Sequence, residues 1–235
     1  MSPWLARRWY DGLFWTSFLF FTFGHSLRVM GRRNMPKSGP VLLIANHQSF
    51  FDPVLIGLAS RRYLSYLARQ SLFKNRFFRD VIESLDAIPI DHKGLGKEGL
   101  QATLDCLDRG KAVLVFPEGE RTHDGNMEPF KAGISLLVKR VKAPIVPVGI
   151  AGAFHAWPRT KKLPALAPLF LAPWDGTIAI SVGKPIPSES FAKMERGAML
   201  ESLFQAVRTE WQKAIRLRRK PRPWHKPVCG APGLR

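Results

Sequence analysis

Two hydrophobic periods alternate along this chain. Continuous apolar runs at Val41–Ala45, Ala112–Phe116 and Ile145–Ile150 read as strands buried on both faces. Tyr63–Ala68 predicts a further strand that ends at Arg69, Asp86–Ile90 another, and the alternating Thr177–Val182 a late one. Between the strands the apolar spacing turns helical. Pro53–Ser60 reads as a short helix, and Leu100, Leu104 and Leu107 mark one over 95–109. The stretch 130–141 is amphipathic, and Leu203, Phe204, Val207, Trp211, Ala214 and Ile215 place a long helix after Leu200. Strands alternating with helices predict an α/β fold, with a mostly parallel central sheet flanked by helices. The stretch 158–174, rich in Pro, Leu and Ala, follows neither period and reads as an irregular loop or the lining of an apolar groove.

The two ends depart from this pattern. Gly12–Gly24 carries no charge and is rich in Phe, Leu and Trp, with Arg7, Arg8 and Asp11 before it and His25 and Arg28 after it. The run is shorter than the roughly 20 apolar residues of a spanning helix. No small-residue cleavage site follows, which argues against a secretory signal. Trp4, Trp9, Tyr10 and Trp15 suit the headgroup level of a bilayer. These features predict a helix that lies in a membrane interface or re-enters it; a tilted span and a core helix are the alternatives. At the other end, no acidic residue follows Lys213, and Pro221, Pro223, Pro227 and Pro232 predict an extended, disordered tail. The chain thus divides into a membrane-associated helical segment (1–34), one α/β domain (35–217) and a basic tail (218–235). Its formal net charge of +18 calls for an anionic partner: phospholipid surface, phosphorylated substrate or nucleic acid. Cys106 and Cys229 form neither a disulfide framework nor a metal-ligand pattern, which suits a reducing compartment.

The candidate chemistry sits in two loops that follow buried strands. Asn46-His47-Gln48-Ser49-Phe50-Phe51-Asp52 follows the first strand, and Asp52-Pro53 reads as the cap and first residue of a helix. A loop can fold back so that the Asp52 carboxylate meets one nitrogen of His47 and leaves the other to act as a base. Phe116-Pro117-Glu118-Gly119-Glu120-Arg121-Thr122 leaves the carboxyl end of another buried strand, where open α/β sheets place ligands. Gly119 lets a ligand approach the backbone, and Arg121 offers a planar fork for phosphate. Gly94-Leu95-Gly96-Lys97-Glu98-Gly99 matches the dinucleotide fingerprint in letters only. Asp91-His92-Lys93 separate it from the strand, whereas the fingerprint starts its tight turn at the strand end. There is no phosphate-cradling Walker loop, nucleophile elbow or metal cluster in the sequence.

From about Met35 to Gly183 the chain resembles the 1-acylglycerol-3-phosphate acyltransferases. The His-x4-Asp motif is His47 to Asp52, and the Phe-Pro-Glu-Gly-x-Arg motif is Phe116 to Arg121. Phe130-Lys131-Ala132-Gly133 and Val146-Pro147-Val148 match in order and spacing. The resemblance implies a membrane-bound acyltransferase on the cytoplasmic face, acting in phospholipid biosynthesis. It would move a fatty acyl group from acyl-CoA or acyl carrier protein to the 2-hydroxyl of lysophosphatidate, with no resident cofactor or metal and no nucleic-acid partner. It implies His47 as general base, Asp52 as its orienting group, and Glu118, Gly119 and Arg121 as acceptor-binding residues, with Arg69 as a further phosphate cation. Two positions depart from the family pattern: Glu120 stands where Ser or Thr is usual, and His92 where Arg is frequent. A different lyso-lipid acceptor is therefore the alternative within the class. A non-enzymatic basic protein that binds anionic membrane or nucleic acid is the alternative outside it.

Overall fold

The computed structural model describes residues 3–74, 79–80, 86–90, 96–165, 167 and 174–219. Residues 220–235 of the expected disordered tail (218–235) and His92 lie outside the described residues. Helix α1 (Pro3–His25) leads into strand β1 (Arg28–Met30). Then come β2 (Val41–Ala45), α2 (Asp52–Ser60), β3 (Leu64–Arg69) and β4 (Ala87–Ile90). They are followed by α3 (Lys97–Asp108), β5 (Ala112–Val115), α4 (Gly133–Val138) and β6 (Ile145–Ala151). The short α5 (Ala153–Ala156), β7 (Ala179–Val182) and the long α6 (Arg196–Leu217) complete the order.

Among the described residues the strands form one sheet in the order β1-β7-β6-β2-β5-β3-β4. Every neighbouring pair is parallel except β6 with β7. Side chains alternate across the central strands, as the pleat requires. Leu43 and Ala45 of β2 face a layer with Leu55, Leu58 and Phe21, whereas Leu42 and Ile44 face Leu137, Leu203 and Val207 on the other side. Both faces of β2 are covered, which is why its sequence is a continuous apolar run. Each fully buried Leu or Ile contributes about 1.5–3 kcal/mol of transfer free energy to this three-layer core. On one outer layer α6 lies against β6 so closely that a Cβ on Gly149 would run into the backbone of Glu210 and Trp211.

The register carries the functional consequence. Parallel pairing of Ile44 with Val115 and of Ala45 with Val148 makes β2, β5 and β6 end at the same edge of the sheet. The loop carrying His47, the turn carrying Glu118 and the segment after β6 therefore emerge side by side.

Three details differ from the sequence expectation. Phe51, in helical geometry and without a side-chain cap bond, occupies the N-cap of α2; Asp52 is already inside the first turn. Its carboxylate is taken by the preceding loop instead of by the helix start. The helix expected over 130–141 is confined to Gly133–Val138, because the chain just before it is tied to the β5 loop, with Lys131 N–H donating to Pro117 O at 2.8 Å. Finally β1, within the segment expected to be a separate membrane-associated unit, pairs with β7 and belongs to the sheet.

Candidate active site

The site is built outward from the end of β2. Asn46 is buried and continues the strand ladder with its side chain: Nδ2 donates to Ile150 O at 2.9 Å, and Ile150 N–H donates to Oδ1 at 2.8 Å. The loop then turns sharply around the fully buried carboxylate of Asp52. Asp52 Oδ2 accepts from the backbone N–H of Gln48 at 2.5 Å and of Ser49 at 2.7 Å, and from His47 Nδ1 at 2.8 Å. A carboxylate at that distance fixes the tautomer: Nδ1 carries the proton and Nε2 keeps its lone pair. The imidazole lies flat on Phe116, with ring centroids 3.9 Å apart and planes 12° from parallel. It is thus clamped on one face and at one nitrogen, and its accessible surface is directed elsewhere. Such a pair can take a proton from a hydroxyl and stabilise the imidazolium that forms.

The β5 turn is bonded to this loop directly. Glu118 is buried, and its Oε1 accepts from His47 N–H at 2.8 Å while Oε2 accepts from Glu128 N–H at 3.0 Å. In return Thr122 N–H donates to His47 O at 2.9 Å. Burial pushes the Glu118 carboxyl up to about 8, against the lowering effect of those two backbone donors. Gly119 has a φ of 74°, and a Cβ there would come within 2.9 Å of Lys131 Nζ, so the missing side chain makes room for that ammonium. Arg121 stacks on Phe50, with its guanidinium carbon 3.3 Å from the ring centroid, and Phe50 packs on Trp157 at 4.8 Å.

Glu120 is paired. Arg159 Nη1 donates to Glu120 Oε2 at 3.2 Å and to Arg121 O at 3.1 Å, and lies 2.7 Å from His123 Nε2. Burial works to raise the Glu120 carboxyl, but the charges of Arg159 and Lys131 outweigh it and hold it below the usual carboxylate range. The segment that carries Arg159 is also tied to the His47 loop, where Ser49 Oγ donates to Trp157 O at 2.9 Å.

The structure thus brings His47, Asp52, Glu118, Gly119 and Arg121 into one cluster. Arg69 is the last residue of β3, paired with Ile90 at the same sheet edge. Lys131, Asn46, Ser49 and Arg159 belong to the cluster but were not singled out for a role from sequence. For Lys131 the Phe-Lys-Ala-Gly block was a usable signal. Arg159 offered none, since it lies in a stretch without period, 38 residues from its partner Arg121. Among the described residues no three His, Cys, Asp or Glu side chains group as a metal site.

Comparison with known proteins follows the same outline. A family model described as acyltransferase matches residues 26–151, more than half of the chain. A 1-acyl-sn-glycerol-3-phosphate acyltransferase of Bacillus subtilis is 25% identical over 187 residues, 77% of this chain and 86% of that protein. The human 1-acyl-sn-glycerol-3-phosphate acyltransferase beta is 26% identical over 203 residues, 84% of this chain and 69% of that protein. The crystal structure of the 1-acyl-sn-glycerophosphate acyltransferase PlsC from Thermotoga maritima superposes with a TM-score of 0.64 at 23% identity, covering 86% of this chain and 88% of that one. At that identity the superposition speaks for the fold.

Proposed function

The chain belongs to the acyltransferase family, and from that membership we propose that it moves a fatty acyl group from an acyl thioester to the 2-hydroxyl of lysophosphatidate, forming phosphatidate. The observation that carries the reading is the His47–Asp52 pair, with Nδ1 committed to a buried carboxylate that also holds the loop through two backbone N–H groups. Nε2 of His47 takes the proton of the 2-hydroxyl as its oxygen attacks the thioester carbonyl. The tetrahedral adduct collapses, the C–S bond breaks, and the imidazolium returns the proton to the departing thiolate. The ester forms and free thiol is released, with no acyl-enzyme.

The acceptor phosphate is assigned to the turn after β5, where Arg121 and Lys131 bring positive charge beside Gly119. Glu118 has both oxygens on backbone N–H groups, which favours a role beneath the acceptor site rather than in contact with the headgroup. The donor is a thioester of coenzyme A or of acyl carrier protein. The working surface is a membrane. No helix of the described residues is long and apolar enough to cross one, and α1 instead presents an exposed apolar stripe suited to an interface.

The test is an assay of the purified chain with lysophosphatidate in mixed micelles, following free thiol and phosphatidate together with each donor. His47→Ala is expected to lower turnover by about 10² to 10⁴, the usual cost of losing a general base, while the loop keeps the backbone bonds of residue 47 to Glu118 and Thr122 and those of Gln48 and Ser49 to Asp52, so that the folded state survives. Wild-type turnover in a folded His47→Ala protein would remove His47 as the base.

A further inference from the structure

A carboxylate beside a phosphate site is unfavourable unless a cation neutralises it, and Glu120 is such a carboxylate. Its neutralising group, Arg159, comes from the segment that follows β6 and is fixed at one end only. Nη1 is shared among Glu120 Oε2, Arg121 O and His123 Nε2. Among the described residues Nε and Nη2 take no partner, and the side chain is partly exposed. A guanidinium anchored through one nitrogen keeps the other donors of its fork available and has already lost most of its rotamer freedom. The anchor also ties it to the carbonyl of Arg121, the residue assigned to the acceptor phosphate.

The local charge points to one class of anion. Arg121, Lys131 and Arg159 stand at the turn, and Glu120 is held by Arg159 and lowered by Lys131, so the turn offers an anion more than one cation. That matches a phosphate monoester, which carries close to two negative charges at neutral pH, better than a phosphodiester, which carries one. We propose that Arg159 is a second headgroup cation of the acceptor site, held in place by Glu120, and that it sets preference for a phosphate monoester over a phosphodiester headgroup. This rests on the lysophosphatidate reading above. It also gives a physical purpose to the acidic residue in the turn: Glu120 orients a cation and does not face the phosphate unpaired.

The experiment compares lysophosphatidate, lysophosphatidylglycerol and monoacylglycerol of the same acyl chain on wild type, Arg159→Ala, Arg159→Lys, Glu120→Ser and the Arg159→Ala/Glu120→Ser double variant. Thermal unfolding confirms that each is folded. Arg159→Ala is expected to raise the KM for lysophosphatidate about tenfold, as for loss of a hydrogen bond to a charged group, and to leave kcat and the donor KM within about twofold. Its effect on the other two acceptors should be under about threefold, so the monoester preference falls. Arg159→Lys should recover part of the loss, because an ammonium cannot both hold Glu120 and offer a planar fork. The double variant should lose less than Arg159→Ala, because the carboxylate left unpaired is gone. A wild-type protein that ignores lysophosphatidate overturns the proposed function and this proposal with it. An active wild type whose Arg159→Ala form loses activity equally on all three acceptors, or loses none, overturns this proposal alone.

Discussion

Glu118 shows how a residue's position in a motif leaves its direction open. By sequence it stands beside Gly119 and Arg121 and reads as an acceptor ligand; in the structure it turns under the loop and accepts from His47 N–H and Glu128 N–H. Its burial has a measurable consequence. The folded chain holds the carboxyl up to about 8 from an ordinary value of 4.5. Between those limits the folded state keeps a proton that the unfolded state has released. The group's contribution to stability is therefore complete below 4.5 and is lost as pH rises through about 8. Thermal midpoints of wild type and Glu118→Gln, measured across that interval, should move apart in the variant's favour as pH rises, since Gln cannot ionise. A gap independent of pH would show that Glu118 does not titrate there. His47 and Asp52 were legible because both partners sit in one short loop. Asn46 and Arg159 were not, because each acquires its partner only when distant strands align at the sheet edge. Asn46 meets Ile150 across 104 residues, and neither sequence neighbourhood records it.

Elements were legible in proportion to their burial. β2, β5 and β6 are covered on both faces and appear as unbroken apolar runs; β1 is three residues at the sheet edge and leaves no period to read. The antiparallel direction of β7 is likewise set by pairing with β6, not by its own composition. Helix α1 is two-sided in a way its composition hid, since one apolar face meets the core and another meets solvent. Phe14, Phe18 and Phe21 pack on the core, and Trp15, Leu19 and Phe23, one turn apart, are 59%, 50% and 53% exposed. Removing the first thirty residues would strip Phe21 and β1 from the fold, so substitution is the cleaner test. Trp15→Gln, Leu19→Gln and Phe23→Gln together should leave thermal stability within about 0.5 kcal/mol per site, as for surface changes. Binding to neutral liposomes should fall on the order of 100-fold, because each side chain buried in lipid contributes about 1.5–3 kcal/mol at full burial and less at partial depth. Co-sedimentation equal to wild type would show that this stripe does not meet the bilayer.

At the scale of the molecule, the proposed attraction to a membrane would have two sources of different range, and salt separates them. Apolar insertion through α1 would depend on area and be insensitive to ionic strength. The net charge of +18 acts at a distance on an anionic surface, at about 1 kcal/mol per Lys or Arg near that surface, and is confined to a Debye length of about 10 Å at 0.1 M salt. The end of α6 is tied to β1 and to the segment before β7: Arg28 Nη1 donates to Leu217 O at 3.4 Å, and the Thr177 hydroxyl donates to Arg219 O. Wild type should bind vesicles containing anionic phospholipid at both low and high salt, and neutral vesicles with little salt dependence. The triple α1 variant should still bind anionic vesicles at low salt, and should be released as the salt is raised to about 0.5 M, where the screening length falls to roughly 4 Å. Release of wild type and variant at the same salt concentration would mean that charge alone holds the protein to lipid. Retention of the variant at high salt would mean that an apolar surface other than the Trp15, Leu19 and Phe23 stripe makes the contact.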